Sequence, residues 1–411
     1  MNALAGKRIP GPVAGNAASP KASAISKVAL FGEFGPPLLA AARSFRDAGI
    51  EVVVLGLGKD TPLDWSNAIS FAATMPHEQV GTPSGLAYIS DFLERTKAQA
   101  LLPFWDPEML WLAEHQHLLP AGCKLLSSSK QALERVHSKN DQLEIAGRSG
   151  FRILPTWKLL SKGDITAVDP GAFPVCLRPS VAENVHPGFK AEVLQSPSEL
   201  KSFLARRTWG PEPLLVQPFL SLPTIVVHGV RSESGELLAL EAFIPSMRFE
   251  GISLELLPMH LNHRLVLCCR NFADEAEITG PFHFDLLYSA EDSTYHYLEV
   301  NARLGGTTDK VLKLGFEEPL LALSAYGFDV PVKPYRFRGG RPIVNRRALL
   351  KHIRALLRGY LSPLDFPVTG RLPHLLLSLR SLLWDRDSIA STRDLRGTWY
   401  FYFGSRYAAK R

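Results

Sequence analysis

Blocks of apolar and polar residues near the N-terminus predict a parallel β-α-β unit. An apolar run, Val28–Phe31, precedes a helical stretch over Pro36–Ala48 and a β-branched run over Ile50–Leu55. Strands that are apolar along their whole length are typical of parallel sheets covered on both faces. A further strand is expected at Ala100–Pro103. We therefore predict a small α/β domain over residues 27–130.

The segment before this domain and its first turn exclude two other kinds of N-terminal region. Residues 1–26 are rich in Ala, Gly, Pro and Ser and lack the continuous apolar stretch of a secretory signal. Their composition predicts a disordered tail, with an Arg/Ser-rich transit peptide as the alternative. The turn Gly32–Gly35 reads GEFG, without the GxGxxG spacing of a dinucleotide site, so no such site is expected there.

From residue 131 the pattern changes to a helix followed by short strands in hairpin-like pairs. The spacing predicts a helix over Gln131–Arg148 and another over Leu261–Phe272. Strands are expected at Val175–Arg178, Ala191–Leu194, Leu214–Phe219, Thr224–Val230 and Glu236–Phe243. We predict an α+β domain over residues 131–333.

The richest chemistry lies in a predicted hairpin whose strands cover residues 282–288 and 295–301. Centring its turn on Asp292 places Asp285 opposite Glu299 and His283 opposite Asn301, all on one face. Like charges directly opposite destabilise a sheet, so a cation is expected between them. Two carboxylates and an amide oxygen suit Mg²⁺. The alternative is a surface hairpin with solvated acids.

Composition bounds the class of protein. The 411 residues are 46% hydrophobic and 21% charged, which fits a folded globular chain of several domains. No apolar run reaches the length of a membrane span. Four cysteines without CxxC spacing argue against a disulfide scaffold, and a reduced, cytoplasmic location is expected.

The positive charge is concentrated near the C-terminus. Residues 335–411 hold 16 Lys or Arg and 4 Asp, a net +12, whereas the rest holds 30 Lys or Arg and 36 acids, a net −6. Arg346–Leu361 and Leu372–Trp384 read as helices carrying leucines and arginines. Either these helices pack on the protein's own core, or they face an anionic membrane or acidic partner. No nucleic-acid motif is present, and a final aromatic strand is expected over 393–403.

At the hairpin the sequence resembles the ATP-grasp ligases. The pattern from Gly280 to Asp285, followed by Tyr297–Gly306 (YLEVNARLGG), is similar to their metal-binding hairpin. Ser138-Lys139-Asn140-Asp141 resembles their lysine helix, and Leu215–Leu220 resembles the hinge that contacts adenine. The resemblance covers about residues 27–330. It implies an N-terminal α/β domain, an ATP-grasp fold of two α+β subdomains and a basic C-terminal extension over residues 334–411.

The resemblance also implies roles for individual residues. Asp285, Glu299 and Asn301 would hold Mg²⁺, with Mn²⁺ as an alternative, and Arg303 would offset transition-state charge. Arg248 would reach an acyl or phosphate group, or else form a surface ion pair. ATP contacts would come from Lys139, Arg178, Gly188, Lys190, Gln217, Pro218 and Phe219. Arg178 stands where many members have Lys, the 181–190 loop has a single glycine, and Pro218 replaces the hinge acid.

These roles imply an ATP- and Mg²⁺-dependent ligase that activates a small carboxylate as an acyl phosphate for attack by an amine. Arg178 is shared with carbamoyl-phosphate synthases, so a carboxylase or carbamoyl-phosphate-type reaction is the alternative within enzymes. The other alternative is a nucleotide-binding module without turnover, recruited through residues 335–411. The sequence leaves the carboxylate, the amine and the oligomeric state open.

Overall fold

The N-terminal domain is a parallel sheet with helices on both faces, as predicted. The computed structural model describes residues 23–58, 65–336 and 340–404. Five parallel strands lie in the order β4-β3-β2-β5-β6. The elements here are β1 (Ser23–Ala24), β2 (Lys27–Gly32), α1 (Pro36–Asp47), β3 (Glu51–Leu57), β4 (Phe71–Met75), α2 (Pro83–Thr96), β5 (Ala100–Pro103), α3 (Asp106–Glu114) and β6 (Lys124–Leu125).

Alternation along the central strands explains this layering. Val28 and Leu30 pack with α1 on one face, whereas Ala29 and Phe31 pack with α2 on the other. The predicted 1–26 tail lies mostly outside the described residues, but its last part does not fit the prediction. The two-residue strand β1 pairs with Phe328–Asp329, and Ser23 N donates to Gly327 O at 2.9 Å. Backbone pairing of this kind leaves no hydrophobic pattern in the sequence.

Two short helices and a small antiparallel sheet follow. The predicted helix over 131–148 is broken at Ser138, whose backbone is extended, so the chain forms two helices. Strands β7, β8, β10 and β12 form a sheet in the order β10-β8-β12-β7. The elements are α4 (Lys130–His137), α5 (Lys139–Arg148), β7 (Trp157–Leu159), β8 (Val175–Pro179), β9 (Val185–His186), β10 (Glu192–Leu194), α6 (Pro197–Ala205), β11 (Thr208–Trp209) and β12 (Leu214–Pro218).

A larger sheet provides the opposite wall of the central region. Its main strands are long and antiparallel, and α7 covers one face with buried aromatic and cysteine side chains. The elements are β13 (Thr224–Arg231), β14 (Leu237–Phe249), β15 (Ile252–Met259), α7 (His263–Glu275), β16 (Gly280–Ser289), β17 (Thr294–Asn301), α8 (Thr308–Lys313), α9 (Glu318–Ala325) and β18 (Phe328–Asp329).

The C-terminal segment is built into this larger sheet. Strands β19 (Ile343–Val344) and β20 (Arg386–Asp387) extend it to seven strands in the order β17-β16-β13-β14-β15-β19-β20. Helices α10 (Arg346–Leu357) and α11 (Arg371–Trp384) lie between these two strands in sequence. The expected aromatic strand over 393–403 is wrong: Asp394 caps a short helix, α12 (Leu395–Trp399), which continues into a π-helical turn.

Candidate active site between the two sheets

The hairpin of β16 and β17 has the predicted register. Asp285 pairs with Glu299 and His283 pairs with Asn301, and a bulge follows Asp285. Phe282, Phe284 and Val300 on the opposite face are buried in the core beneath α7. Because that face is packed, the polar face has a fixed position. It holds Asp285, Glu299 and Asn301 half-buried at the edge of a cleft.

The pKa values of the two carboxylates are shifted in opposite directions. Burial, reinforced by the neighbouring Glu299 charge, raises the pKa of Asp285 to about 6. Burial also acts to raise the pKa of Glu299, but Lys139, Lys190 and Arg178 outweigh it and lower that pKa to about 2. Glu299 is therefore the carboxylate held ionised by the cations across the cleft.

Lys139 reaches the hairpin from the opposite side of the cleft. Its Nζ lies 3.3 Å from Glu299 Oε2. The break at Ser138 makes Lys139 the first residue of α5, and the backbone there is tied to Ser180: Lys139 N donates to Ser180 O at 3.1 Å, and Asn140 N donates to Ser180 Oγ at 3.0 Å. This tie fixes the start of α5 beside the end of β8.

Arg178 bridges the two sheets. It is 7% exposed on β8, and its guanidinium donates to Gln217 Oε1 at 2.8 Å and to Leu298 O at 3.3 Å. Leu298 belongs to β17, so the contact crosses the cleft next to Glu299. A buried guanidinium needs hydrogen-bond acceptors, and both acceptors of Arg178 within the described residues are neutral oxygens. Its charge is thus directed at the cleft.

The 181–190 loop contributes a further cation. Lys190 is exposed, and its charge lowers the pKa of both Asp285 and Glu299. Gly188 is also exposed, and a Cβ added there would meet only Val185 O at 3.7 Å. These two predicted ATP contacts lie in a loop whose cation acts on the hairpin.

The predicted adenine hinge offers few free donors. Gln217 is 2% exposed, accepts from Arg178 and donates from Nε2 to Thr156 Oγ1 at 2.9 Å. Pro218 has no N–H, and Phe219 N already donates to Pro174 O at 2.8 Å. Adenine contacts at these residues would therefore have to use carbonyl oxygens or ring surfaces.

Arg248 is a half-buried cation rather than part of a surface ion pair. Burial lowers its pKa, while the charges of Asp285 and Asp365 act to raise it. It hydrogen-bonds Thr224 Oγ1, and its backbone N donates to Phe366 O at 3.0 Å. Its guanidinium carbon lies 5.9 Å from the centre of the Phe366 ring. The loop between α10 and α11 therefore supports the predicted substrate arginine.

Arg303 lies where the hairpin meets the N-terminal domain. It donates to Asp106 Oδ1 at 2.9 Å and to Asn301 Oδ1 at 3.3 Å, and it lies 5.6 Å from the Trp105 ring centre. Sequence reasoning missed Asp106 and Trp105. Their position directly after strand β5, at the carboxyl edge of the parallel sheet, was the available signal.

His283 orients Asn301. The Asn301 Nδ2 lies 3.2 Å from His283 Nε2, and His283 Nδ1 lies 3.3 Å from Arg303 O. Burial, with the nearby His228 and Arg303, holds the His283 pKa well below its ordinary value, so the ring is neutral. A proton on Nδ1 satisfies both contacts. His283 thus contacts a site residue of the hairpin, Asn301.

A second buried network lies behind this histidine and was not predicted. His228 contacts Glu318 Oε1 at 2.7 Å and Thr307 Oγ1 at 2.8 Å, and its ring stacks on His283 at 5.5 Å. A Cβ on Gly305 would lie 3.0 Å from the His283 ring. The glycine at 305 therefore serves histidine packing, and Gly306, with open space around its Cα, is the one free for a ligand.

The donor set fits a hard divalent cation that shares its ligands with phosphate. Within residues 23–58, 65–336 and 340–404, no three His, Cys, Asp or Glu side chains come together as a protein-only metal cage. Two carboxylates and an amide leave room for phosphate oxygens and water, which is how Mg²⁺ is usually held beside nucleotides.

Comparisons with known proteins are consistent with this geometry. No protein-family model matches the chain, and no curated protein matches it in sequence. Among solved structures, the ADP complex of N5-carboxyaminoimidazole ribonucleotide synthetase is 14% identical with a TM-score of 0.62, over 82% of this chain and 85% of that one. Biotin carboxylase from Campylobacter jejuni is also 14% identical, with a TM-score of 0.59 over 77% and 74%.

An L-amino acid ligase from Bacillus licheniformis is a third similar structure. It is 14% identical with a TM-score of 0.57, and the alignment covers 78% of this chain and 79% of that one. Likeness at this identity establishes architecture alone. The chain therefore has the ATP-grasp fold.

Proposed function

We propose that this protein is an ATP- and Mg²⁺-dependent ligase that activates a small carboxylate as an acyl phosphate for attack by an amine. The observation that carries the proposal is the charge arrangement across the cleft. Asp285, Glu299 and Asn301 line the hairpin. Lys139, at the start of α5, has its Nζ 3.3 Å from Glu299 Oε2, and Arg178 reaches β17 from the facing sheet.

The cations would bind the nucleotide phosphates. Lys139 and Arg178 both lie at the Glu299 end of the hairpin, where Asp285, Glu299 and Asn301 would hold Mg²⁺. When bound, the metal would neutralise charge on the phosphate oxygens. The Lys139–Glu299 ion pair would then separate, since each partner gains a stronger ligand of opposite charge.

The chemistry would proceed in two steps. A carboxylate oxygen of the substrate, held by Arg248, would attack the γ-phosphorus of ATP, the bond to the β-phosphate oxygen would break, and ADP would leave. The amine would then attack the acyl carbon, inorganic phosphate would leave with the electrons of the C–O bond, and the amine would lose a proton. Arg303 would offset negative charge as it spreads over the transferred phosphoryl group.

The similar structures support ATP-dependent activation of a carboxylate and also bear on the carboxylase alternative. They include an L-amino acid ligase and carboxylating enzymes, one of them a biotin carboxylase domain crystallised with MgADP and bicarbonate. Buried Arg178 is the feature of this chain that favours a carboxylase or carbamoyl-phosphate-type reaction. In that case bicarbonate would take the place of the organic carboxylate.

One experiment separates the candidates. The purified protein is assayed for Mg²⁺-dependent ADP release with pools of amino acids and other small acids, in bicarbonate-free and bicarbonate-supplemented buffer. ADP release that requires an organic acid and an amine supports the ligase. A requirement for bicarbonate supports the carboxylase. ATP binding without turnover in any pool supports a nucleotide-binding module and contradicts the proposal.

We also propose a cytoplasmic location. All four cysteines are unpaired thiols, which fits a reducing compartment that also supplies ATP.

A further inference from the structure

Helix α11 exposes leucines on one face. Leu372, Leu376, Leu379 and Leu383 are each between 41% and 67% exposed. Their spacing of four, three and four residues places them in one stripe along the helix. An ordinary surface helix turns such a stripe toward the core. None of the helices within the described residues is long and apolar enough to cross a membrane.

The opposite face of α11 is fixed by buried polar groups. His374, Ser378 and Ser381 are fully buried, and Ser378 Oγ contacts Met247 Sδ at 3.5 Å. His374 also hydrogen-bonds Pro367 O and lies 3.4 Å from His352 Nε2. Rotating the leucines inward would break these contacts and expose polar groups in their place. The outward orientation is therefore specified by the fold.

The end of α10 adds another exposed leucine close to the start of α11. Leu357 is 70% exposed, and the following Gly359 lies against the side chain of Arg371, the first residue of α11. Trp384, at the other end of α11, is 60% exposed. We call the set formed by the four α11 leucines, Leu357, Trp384 and the exposed cations Arg354, Arg358, Arg371 and Arg380 the α11 surface.

The exposed charges that the C-terminal segment itself carries have one sign. Within described residues 340–404, every exposed charged side chain is Lys or Arg. The four aspartates of this segment are buried or half-buried, and Asp394 and Asp385 lie against Arg43 and Arg380 respectively. An apolar stripe flanked by cations, with a tryptophan at its end, is typical of helices that lie in a membrane interface.

We propose that the α11 surface docks on anionic lipid membranes, with α11 lying in the plane of the interface. Charge argues against two other occupants. A second copy of the chain would bring cations against cations. Residues 1–22 and 405–411 each carry three Lys or Arg and no acid, so neither terminal segment would complement the surface. The inference is independent of the enzymatic proposal, because binding is measured without substrates.

The test is flotation of the full-length protein with phosphatidylglycerol-containing vesicles and with pure phosphatidylcholine vesicles. The protein should float with the first and much less with the second. Leu376→Glu combined with Leu383→Glu should weaken binding at least about tenfold, since each leucine loses its burial in the acyl boundary. Leu160→Glu is the matched control, because Leu160 is 64% exposed elsewhere, and it should bind like wild type.

A second pair of variants tests the contribution of the cations to vesicle binding. Arg354→Gln combined with Arg358→Gln should weaken binding about 25-fold, at roughly fivefold per cation. Lys201→Gln with Arg206→Gln, both exposed on another part of the chain, is the control and should bind normally. All variants should keep the wild-type melting temperature, because only exposed side chains change.

Three outcomes would overturn the proposal. The first is no flotation with anionic vesicles. The second is equal binding by wild type and the leucine double variant, which would indicate a merely cationic surface. The third is capture of soluble poly-glutamate with the same dependence on the leucines and no vesicle binding, which would assign the surface to an acidic protein partner.

Discussion

The cleft and the C-terminal segment use the same charged residue types for opposite purposes. In the cleft, Asp285 and Glu299 stay half-buried, and the cations that act on Glu299 come from a helix, a loop and a strand of the other sheet. In the C-terminal segment, Asp394 is fully buried with every oxygen lone pair directed at a donor. Groups whose hydrogen bonds are already filled hold a fold together, whereas charges left facing a cleft are available to a ligand.

Asp394 illustrates the structural use. Its Oδ2 accepts from Arg43 Nε and Ser66 Oγ, both at 2.8 Å, and its Oδ1 accepts from the backbone N–H groups of Asn67 and Gly397, both at 3.0 Å. The Arg43 side chain is 11% exposed. These contacts join the C-terminal segment to the N-terminal domain. The comparison predicts that cleft substitutions reduce turnover and C-terminal ones reduce stability.

The largest expected effect is on turnover. Glu299→Gln should reduce Mg²⁺-dependent ATP turnover by about 10³-fold or more, because charge stabilisation through a bound metal is worth several kcal/mol. The melting temperature should change little, since the loss of the Lys139 ion pair is offset by the loss of repulsion from Asp285. Glu291→Gln, in the exposed turn of the same hairpin, is the control. Wild-type turnover by Glu299→Gln would contradict the metal assignment.

The next effect is on stability. Asp394→Asn should lower the free energy of unfolding by about 3–5 kcal/mol, because it leaves Arg43 buried without its anion. Turnover per folded molecule should stay near wild type. Urea denaturation measures the change, and Asp91→Asn, which removes an exposed ion pair with Arg95, should cost at most about 1 kcal/mol. Equal stability of the two variants would show that the Asp394 network contributes little.

The Asp394 effect should depend on pH. Burial acts to raise the Asp394 pKa, but Arg43, Ser66 and two backbone donors outweigh it and hold that pKa below its ordinary value. The stabilisation is therefore complete above the ordinary aspartate pKa of about 3.9 and is lost as pH falls through the lower, folded value. The stability gap between wild type and Asp394→Asn should narrow as pH falls below about 4. A gap that widens on acidification would contradict this sign.

Arg303 could serve either catalysis or the fold, since it contacts both Asn301 and the N-terminal domain. Arg303→Ala should lower kcat by about 10²–10³-fold if it stabilises developing phosphoryl charge. Asp106→Asn keeps the guanidinium but removes its ion pair. It should change kcat by less than about threefold. If both variants lose activity equally, Arg303 acts by positioning the domain.

The smallest expected effect concerns the contact between the cleft and the C-terminal segment. Phe366→Ala removes the ring beside Arg248 and should raise the KM for the carboxylate about three- to tenfold with kcat nearly unchanged, as expected for loss of a cation–π contact. Val368→Ala, an exposed position in the same loop, is the control. A change in kcat alone would place Phe366 outside substrate binding.

The sequence predicts the hairpin of the cleft well because its register depends on residues that are close together in the chain. Two alternating strands and a short turn determine which residues share a face, and the register of Asp285 with Glu299 is confirmed. The break at Ser138 is different in kind. It depends on Ser180, 42 residues away, whose hydroxyl lies 2.8 Å from Ser138 Oγ. A helical pattern cannot indicate a break imposed by a distant partner.

The C-terminal segment shows more clearly what a hydrophobic pattern cannot predict. The leucine stripe of α10 is buried, as one of the two alternatives expected, with Leu349, Ile353 and Leu356 in the core. Helix α11 has leucines on several sides, so its period does not determine which of them face outward. The buried contacts of Ser378 and His374 decide its orientation, and no pattern of hydrophobicity indicates that a serine will be inside.

The acyl-phosphate mechanism is tested most directly by identifying the nucleotide product together with the activated carboxylate. The protein is incubated with ATP, Mg²⁺, the carboxylate found by screening and hydroxylamine in place of the amine. We expect ADP and a hydroxamate in equal amounts, and neither with Glu299→Gln. AMP and pyrophosphate as the stoichiometric products would mean activation at the α-phosphate and would contradict the acyl-phosphate mechanism.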